Sequence, residues 1–175
     1  MTDGELLALC RQGYATAFAE LVGRYRNRLW SICFRVTGNR EDAEEAVQDT
    51  LTSAWQNLHK FRGDAKVSTW LYRIAANASL AIVRKRKETV ADLDVIELED
   101  PAPLTADRVA DVDAVRRALS ELPEDFRVAV VLREFAEMSY ADIAEHQGIP
   151  VATVKTRINR ARTQLTVLLA PTRTS

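Results

Sequence analysis

The sequence predicts an all-α protein of two small helical domains joined by an extended acidic linker. Through most of the 175 residues, apolar side chains recur at spacings of three and four, which is the period of an amphipathic helix. No stretch shows sustained apolar–polar alternation with β-branched residues, so no strand is predicted. Between Glu88 and Thr105 two prolines and six acids interrupt the helical pattern, a composition typical of a linker.

The net charge of −1 conceals a strong segregation of charge along the chain. Residues 61–87 hold seven basic residues against one acid, and residues 88–113 hold nine acids against one base. Residues 146–175 hold no acid at all. Blocks of this kind predict that separate surfaces meet separate partners, which the whole-chain charge would hide.

Composition also limits where the protein acts. No apolar run reaches the roughly eighteen residues of a membrane span, so we expect no membrane insertion. The acidic N-terminus lacks the basic start and apolar core of a secretory signal, which predicts a cytoplasmic protein. Cys10 and Cys33 have no metal-ligand neighbours in sequence, and we interpret them as buried free thiols.

The predicted first domain, residues 1–87, is entirely helical. A short helix ends at Gly13, and an apolar stripe from Phe18 to Val36 predicts one long helix that stops at Gly38. The next helix opens with acids, which favour the positive end of a helix dipole. These acids are Glu41, Asp42, Glu44 and Glu45. After a loop, a last helix is predicted from Val67 to about Lys87.

The basic block of residues 61–87 has the character of a nucleic-acid surface. One side of its helix carries, at spacings of four and seven, Arg73, Asn77 and Arg84. A helix with this side and an Arg-Lys-Arg-Lys end is a plausible nucleic-acid surface, and Trp70 beside the loop of Arg62 and Lys66 is placed to stack on unpaired bases. The alternative is a core helix with a solvated basic end, since tryptophan at helical spacing is more often part of a core.

The predicted second domain, residues 106–170, contains a helix-turn-helix pattern. Its first helix lies near 109–122 and its second at 124–136. Ser139 and Asp142 then form a capping pair, Gly148 supplies a left-handed residue, and Pro150 suits the start of the last helix. Two helices joined by such a glycine turn are typical of DNA-binding proteins.

The last helix has two distinct faces at 100° per residue. Its inward face is Val154, Ile158, Ala161 and Leu165. Its outward face is Ala152, Thr156, Asn159 and Thr163, flanked by Lys155 and Arg160. Small and polar residues let a helix enter the major groove and reach base edges, while flanking cations neutralise phosphates. The alternative interpretation is a solvated basic helix face.

Two other functions would each account for only part of the sequence pattern. A stand-alone helix-turn-helix regulator explains residues 139–162 but leaves the acidic helix, the first basic block and the linker without a role. An enzyme would need catalytic groups, yet His59 and His146 lie in different predicted domains. There is no glycine-rich phosphate loop, nucleophile motif or ligand-spaced metal set. We therefore predict no catalytic residue, cofactor or metal.

Three stretches together resemble a known family. They are DAEEAVQDTLTSAW (residues 42–55), STWLYRIAANASLAIVRKRK (residues 68–87) and SYADIAEHQGIPVATVKTRINRAR (residues 139–162). In this order and spacing the chain resembles, over nearly its whole length, a bacterial RNA polymerase sigma factor of the extracytoplasmic-function (ECF) group, sigma-70 family. The resemblance implies a protein that binds core polymerase and directs promoter-specific transcription initiation.

The resemblance also implies roles for individual residues. Residues 1–87 would be sigma region 2, which docks on the polymerase β′ clamp helices through Asp42, Glu45, Gln48 and Asp49. Recognition and melting of the minus-ten element would fall to Arg62, Lys66, Trp70, Arg73, Asn77 and Arg84. Residues 106–170 would be region 4, reading the minus-thirty-five element with Thr153, Lys155, Thr156, Asn159 and Arg160.

The implied partners are core RNA polymerase, contacted through the β′ clamp helices and the β flap, together with promoter DNA and an anti-sigma factor. The linker, residues 88–105, would thread the RNA exit channel, because an acidic strand imitates RNA in a basic tunnel. Residues 171–175 would form a tail.

Overall fold

The computed structural model describes residues 1–92 and 106–170, and these residues form an all-α structure. The described part contains nine α-helices and one short 3-10 helix at Leu58–Lys60. The α-helices are α1 (Asp3–Arg11), α2 (Ala15–Gly23), α3 (Arg26–Thr37), α4 (Arg40–Gln56), α5 (Val67–Asp92), α6 (Ala106–Ser120), α7 (Glu124–Ala136), α8 (Tyr140–Gln147) and α9 (Val151–Leu169). The predicted fold class is confirmed.

Local chemistry sets several helix ends. At α1, the Thr2 side chain accepts a hydrogen bond from the Glu5 amide while the Glu5 carboxylate accepts one from the Thr2 amide, which is a capping box. At α4, the Asn39 side chain accepts from the Asp42 amide. Helix α3 ends at Gly38, whose φ of 86° lies in the left-handed region that glycine adopts without a steric penalty.

The single long helix predicted from Phe18 to Val36 is wrong. The chain turns between α2 and α3, where the Tyr25 amide bonds to the Val22 carbonyl only three residues back, at 3.0 Å. The apolar stripe runs across this turn because Leu21 in α2 and Leu29 in α3 enter the same core. Spacing alone therefore could not reveal the break.

The fifth helix is longer than expected. It extends to Asp92, five residues beyond the predicted end at Lys87, so helix continues into the segment predicted as a linker. The predicted path through an exit channel concerns residues 93–105, which lie outside the described residues, as does the predicted tail, residues 171–175.

The first half of the chain (α1 to α5) and the second half (α6 to α9) each pack around one central helix. In the first half α3 contacts both α4 and α5, and its Leu29, Ile32 and Cys33 are fully buried. In the second half α7 contacts α8 and α9, and Leu132 and Ile158 are fully buried. Each such aliphatic side chain stabilises the fold by about 1.5–3 kcal/mol relative to exposure.

The two halves lie in direct contact. Helix α3 packs against α7 and α6, so the buried apolar residues form one continuous core. The Arg35 guanidinium lies 4.0 Å from the centroid of the Phe135 ring across this contact. Both basic helices, α5 and α9, thus belong to one compact body.

No helix in the described part of the chain is long and apolar enough to cross a membrane.

Three arginines converge on the C-terminal end of α3. Arg86 donates to the Thr37 carbonyl at 3.1 Å, and Arg116 donates to the Gly38 carbonyl at 2.8 Å. Arg127, from α7, donates to the Val36 carbonyl at 2.9 Å. Unpaired carbonyls and the negative end of the helix dipole both attract cations, so this helix end ties the two halves together.

Candidate nucleic-acid interface

The helix-turn-helix of α8 and α9 forms as its sequence predicted. The Ser139 hydroxyl oxygen accepts a hydrogen bond of 3.0 Å from the Asp142 amide and caps α8. Gly148 ends α8 with a φ of 67°. Pro150 immediately precedes α9, where its missing amide hydrogen leaves no donor unsatisfied.

Helix α9 buries its predicted apolar face and exposes its predicted polar face. Val154, Ile158 and Ala161 are fully buried, and Leu165 is half-buried. Four of the five residues expected to read DNA are exposed, and Thr153 is half-buried. The exposed four are Lys155, Thr156, Asn159 and Arg160. The helix therefore presents amide, hydroxyl and cationic groups in one row.

Cations of the second half orient this helix through contacts that no local sequence pattern indicates. The Arg133 guanidinium and the Lys155 ammonium lie 4.4 Å and 5.7 Å from the centroid of the Tyr140 ring. Arg162 forms an ion pair with Glu134 on α7. Because these contacts join α9 to α7 and α8, they fix the angle at which the polar face is presented.

On α5, unlike on the polar face of α9, two of the cations expected to bind DNA already contact acidic side chains. Both belong to the set expected to bind the minus-ten element. An Nη atom of Arg73 lies 3.3 Å from a carboxylate oxygen of Glu145 and 3.6 Å from one of Asp142. The Nε atom of Arg84 lies 3.3 Å from a carboxylate oxygen of Glu124. All three acids belong to the second half of the chain.

Of the remaining residues of that set, Arg62 and Lys66 lie in the loop before α5, and Trp70 and Asn77 lie on α5 itself. Arg62, Lys66 and Asn77 are exposed. Trp70 is half-buried, and its ring centroid lies 5.1 Å from that of Phe61, so the indole is partly enclosed by protein. Arg62, Lys66 and Asn77 are therefore reachable by a strand of nucleic acid without any rearrangement.

A cleft of about 620 Å³ lies between the two halves beside this loop. The first half lines it with Arg28, Lys66 and Tyr72, and the second half with Glu137 and Asp142. The wall from the first half also carries Arg24 and Asp64, so a wall of net positive charge faces a wall of negative charge.

The acidic face of α4 is mostly open to solvent. Glu45, Gln48 and Asp49 are exposed. Asp42 differs, because its carboxylate accepts a hydrogen bond from Arg86 at 2.6 Å and is partly enclosed. A neighbouring cleft of about 370 Å³ is lined by Trp30 as well as Gln48. The sequence pattern does not indicate Trp30 as a functional residue, and only the folded structure places it beside the acidic face of α4.

The two cysteines and the two histidines are not part of these surfaces. Cys10 and Cys33 are buried free thiols, as predicted, and burial raises the pKa of Cys33 to about 11. His59 is exposed, while His146 is half-buried with a pKa lowered by burial and by the nearby Arg73 charge. Among the described side chains, no group of three or more His, Cys, Asp or Glu residues is placed to hold a metal ion.

Family models and characterised proteins match this arrangement. Residues 21–89 match the model of Sigma-70 region 2, and residues 113–165 match that of Sigma-70 region 4. The chain is 40% identical over 171 residues to the ECF RNA polymerase sigma factor SigM of Mycobacterium tuberculosis, covering 96% of this chain and 85% of that one. It is 35% identical over 168 residues to the ECF RNA polymerase sigma factor SigW of Bacillus subtilis, covering 89% and 90%.

Solved structures match over both halves. The structure of CnrH in complex with the cytosolic domain of CnrY has a TM-score of 0.72 and 29% identity, covering 95% of this chain and 96% of that one. The sigma factor RpoE in complex with the anti-sigma factor NepR from Bartonella quintana has a TM-score of 0.73 and 30% identity, covering 89% and 99%. Similarity therefore extends beyond the helix-turn-helix.

Proposed function

Because this chain belongs to the ECF group of sigma-70 family RNA polymerase sigma factors, and so directs promoter-specific transcription initiation, we propose how its two halves divide that work. Residues 1–87 act as region 2 and residues 106–170 act as region 4, with residues 88–105 between them. A stand-alone helix-turn-helix regulator is not favoured, since it leaves the match of residues 21–89 without a role.

The observation that carries the proposal is the exposed polar row on α9, opposite an apolar side whose Val154, Ile158 and Ala161 are fully buried. In this proposal α9 enters the major groove of the minus-thirty-five element. Asn159 and Arg160 contact base edges, and the ammonium of Lys155 contacts a phosphate. Thr153 and Thr156 supply hydroxyl groups at the N-terminal part of the helix, which lies nearest the bases in helix-turn-helix proteins.

The minus-ten element is assigned to α5 and the loop before it. Extruding a base from the stack costs a few kcal/mol, which contacts in a protein pocket offset. Arg62 and Lys66 on the loop supply the cations that follow an unpaired strand, and the exposed amide of Asn77 contacts a neighbouring base. Arg73 and Arg84 join them once released from their acidic partners, and the exposed edge of Trp70 supports the displaced base.

Two surfaces are assigned to core polymerase. The acidic row of α4 docks on the β′ clamp helices through Asp42, Glu45, Gln48 and Asp49, with Asp49 in the exposed centre of the helix. The β flap is assigned to the groove between α6 and α9, where Ala118 and the exposed Leu168 form an apolar lining. Polymerase chemistry belongs to the core subunits, so this chain contributes no catalytic group.

An anti-sigma factor completes the set of partners. One of the similar solved structures contains an anti-sigma factor, and the other contains the cytosolic domain of a partner protein. We assign to this chain a protein inhibitor that covers the acidic row of α4. Because its partners are polymerase and promoter DNA, we place the protein in the cytoplasm.

Transcription in a purified system tests the proposal. The protein is mixed with bacterial core polymerase and fragmented genomic DNA, and the 5′ ends of the RNA are sequenced. We expect new start sites that share two upstream elements, together with co-elution of the protein with core polymerase. A protein that neither co-elutes with core nor creates new starts, but binds duplex DNA alone, would instead be a stand-alone regulator.

A further inference from the structure

Arg86 differs from its neighbours in the basic end of α5 because it is half-buried, whereas the other three cations of that end are exposed. The exposed three are Arg84, Lys85 and Lys87. One Nη atom of Arg86 donates to a carboxylate oxygen of Asp42, in the first turn of α4, at 2.6 Å. The other donates to the carbonyl of Thr37, the last residue of α3, at 3.1 Å. The guanidinium therefore joins α5 to the junction between α3 and α4.

Arg86 also faces away from the side of α5 that is assigned to DNA. That side carries Arg73, Asn77 and Arg84, at spacings of four and seven. Arg86 lies two positions after Arg84, which is about 200° around a helix, and residues so placed point in nearly opposite directions. A DNA strand along the first side therefore meets Arg84 and leaves Arg86 on the far side of the helix.

Asp42 is placed to be shared by two partners. Its Oδ2 atom accepts hydrogen bonds from Arg86 at 2.6 Å and from the Asn39 side chain at 2.9 Å. Within the described part of the chain, its Oδ1 atom accepts no hydrogen bond. Asp42 also begins the acidic row of α4 that continues through Glu45 and Asp49. One carboxylate oxygen is thus held by α5, while the other is left for core polymerase.

We propose that Arg86 is a positioning residue that couples core docking to minus-ten recognition, because it holds the basic end of α5 against Asp42 in the docking row. The inference rests on the roles proposed for α4 in docking and for α5 in minus-ten recognition. A guanidinium serves a carbonyl and a carboxylate together because its donors lie in a fixed fork. The Arg86 and Asp42 side chains are only 34% and 20% exposed, so salt screens this pair less than a surface pair.

The salt dependence of promoter binding distinguishes positioning from direct DNA contact. Each variant is assembled with excess core polymerase, and the probe is a fluorescent promoter fragment from a start site that the unmodified protein creates. Loss of one phosphate contact lowers the slope of log affinity against log salt by about 0.7–0.9. We expect Arg84→Ala to lower the slope in this way. Arg86→Ala should weaken binding by about fivefold or more while the slope stays unchanged.

A matched control separates this effect from a general loss of charge. Lys85→Ala removes an exposed cation from the same end of α5, and it should change the affinity by less than about twofold. Arg86→Lys keeps the charge and one donor group, so it should restore part of the affinity that Arg86→Ala loses. Circular dichroism first checks that each variant folds. If Arg86→Ala does not fold, Arg86→Lys is compared with Lys85→Ala in its place.

A double-mutant cycle tests whether Asp42 acts through Arg86. Asp42→Asn keeps the shape of the side chain and removes its charge. It should weaken promoter binding by the assembled holoenzyme, and its effect should fall below about twofold when residue 86 is already alanine. The same cycle with Arg86→Lys should show a smaller coupling, because lysine lacks the fork that reaches both acceptors.

Three outcomes overturn the inference. A salt slope that falls for Arg86→Ala as it does for Arg84→Ala makes Arg86 a DNA contact. A loss of affinity no larger than that of Lys85→Ala means that Arg86 acts only as one more positive charge. Losses from Asp42→Asn and Arg86→Ala that simply add show that the two residues act independently.

Binding to core polymerase separates failure of this inference from failure of the proposed docking role. Arg86→Ala should change core affinity by less than about twofold, because its guanidinium contacts Asp42 and Thr37. A loss as large as that of Asp49→Ala would make Arg86 a docking residue and overturn the inference. If Asp49→Ala weakens core binding but the cycle shows no coupling, only the positioning role is refuted. If Asp49→Ala leaves core binding unchanged, the docking role of α4 is refuted and the coupling fails with it.

Discussion

The Nη1 atom of Arg127 donates a hydrogen bond of 2.9 Å to the carbonyl oxygen of Val36, 91 positions earlier in the chain. The same guanidinium donates to three carbonyls at the end of α6, from Leu119, Ser120 and Leu122. Arg127 is only 4% exposed. One buried cation thus satisfies helix ends from both halves, where unpaired carbonyls would otherwise be costly.

Replacement of Arg127 by alanine should strongly destabilise the protein. It leaves several buried carbonyls unpaired and opens a cavity, so we expect a loss of about 3 kcal/mol in the free energy of unfolding. Arg127→Lys keeps the charge but has fewer and differently directed donors, and its loss should be intermediate. Urea denaturation followed by circular dichroism measures both. Equal stability of the alanine and lysine variants would show that the hydrogen bonds contribute little.

The features that the sequence predicts in detail are those with local determinants. The cap at Ser139, the left-handed Gly148 and the buried positions Val154 and Ile158 all lie within one short stretch, and each follows from the conformation of its own neighbours. The exposed face of α9 followed from the same spacing. This explains why the helix-turn-helix could be predicted in detail.

The contacts between the halves could not be predicted in this way. Arg73 and Glu145 lie 72 positions apart, and nothing near either residue specifies the other. The turn between α2 and α3 escaped detection for a different reason, since Leu21 and Leu29 face one core from two helices. Both depend on tertiary packing, which overrides local pattern.

Substitutions on α4 and α9 should separate core binding from promoter recognition. Arg160→Ala should lower promoter-specific transcription by about fivefold or more, since a base-contacting arginine contributes about 1–3 kcal/mol, while core binding stays intact. Asp49→Ala should weaken core binding first, because it removes a charge from the centre of the docking row. Run-off transcription and co-elution with core polymerase measure the two steps.

Asp125→Ala provides a control for this pair, since Asp125 is an exposed acid on α7 outside the proposed surfaces. It should change neither core binding nor transcription. If Arg160→Ala and Asp49→Ala instead lose the same step to the same extent, the proposed division of labour is wrong.

The protein should become less stable in acid as the Glu124 carboxylate is protonated. Hydrogen bonding from Lys87, aided by the charges of Lys87 and Arg84, lowers the pKa of Glu124 below its ordinary 4.5 although burial opposes the shift. A lowered folded-state pKa means that the stabilisation is fully present above the ordinary pKa and is lost as the pH falls through the folded-state value. Because Lys87 and Arg84 are exposed, we expect their contacts with Glu124 to contribute about 0.5–1 kcal/mol to the free energy of unfolding.

Unfolding of the unmodified chain and of Glu124→Gln, followed from near pH 7 to about pH 3, measures this contribution. Glu124→Gln should be less stable near neutral pH, and the difference should vanish in acid. A difference that stays constant over the whole range would mean that the carboxylate charge is not what stabilises the contact.

Two residues with positive φ should respond to substitution in opposite directions. Gly148 has a φ of 67° and Glu137 a φ of 54°. A side chain in this left-handed region costs about 1 kcal/mol, so Gly148→Ala should lower the free energy of unfolding by about that amount.

Glu137→Gly should raise the free energy of unfolding by up to about 1 kcal/mol. The greater freedom of glycine in the unfolded chain reduces this gain. The ion pair lost with Arg28 subtracts little, because at 3.6 Å and with Glu137 78% exposed it is weak. Urea denaturation of both variants tests the argument. Stabilisation by Gly148→Ala, or a loss above about 1 kcal/mol for Glu137→Gly, would show that backbone conformation does not govern these two helix ends.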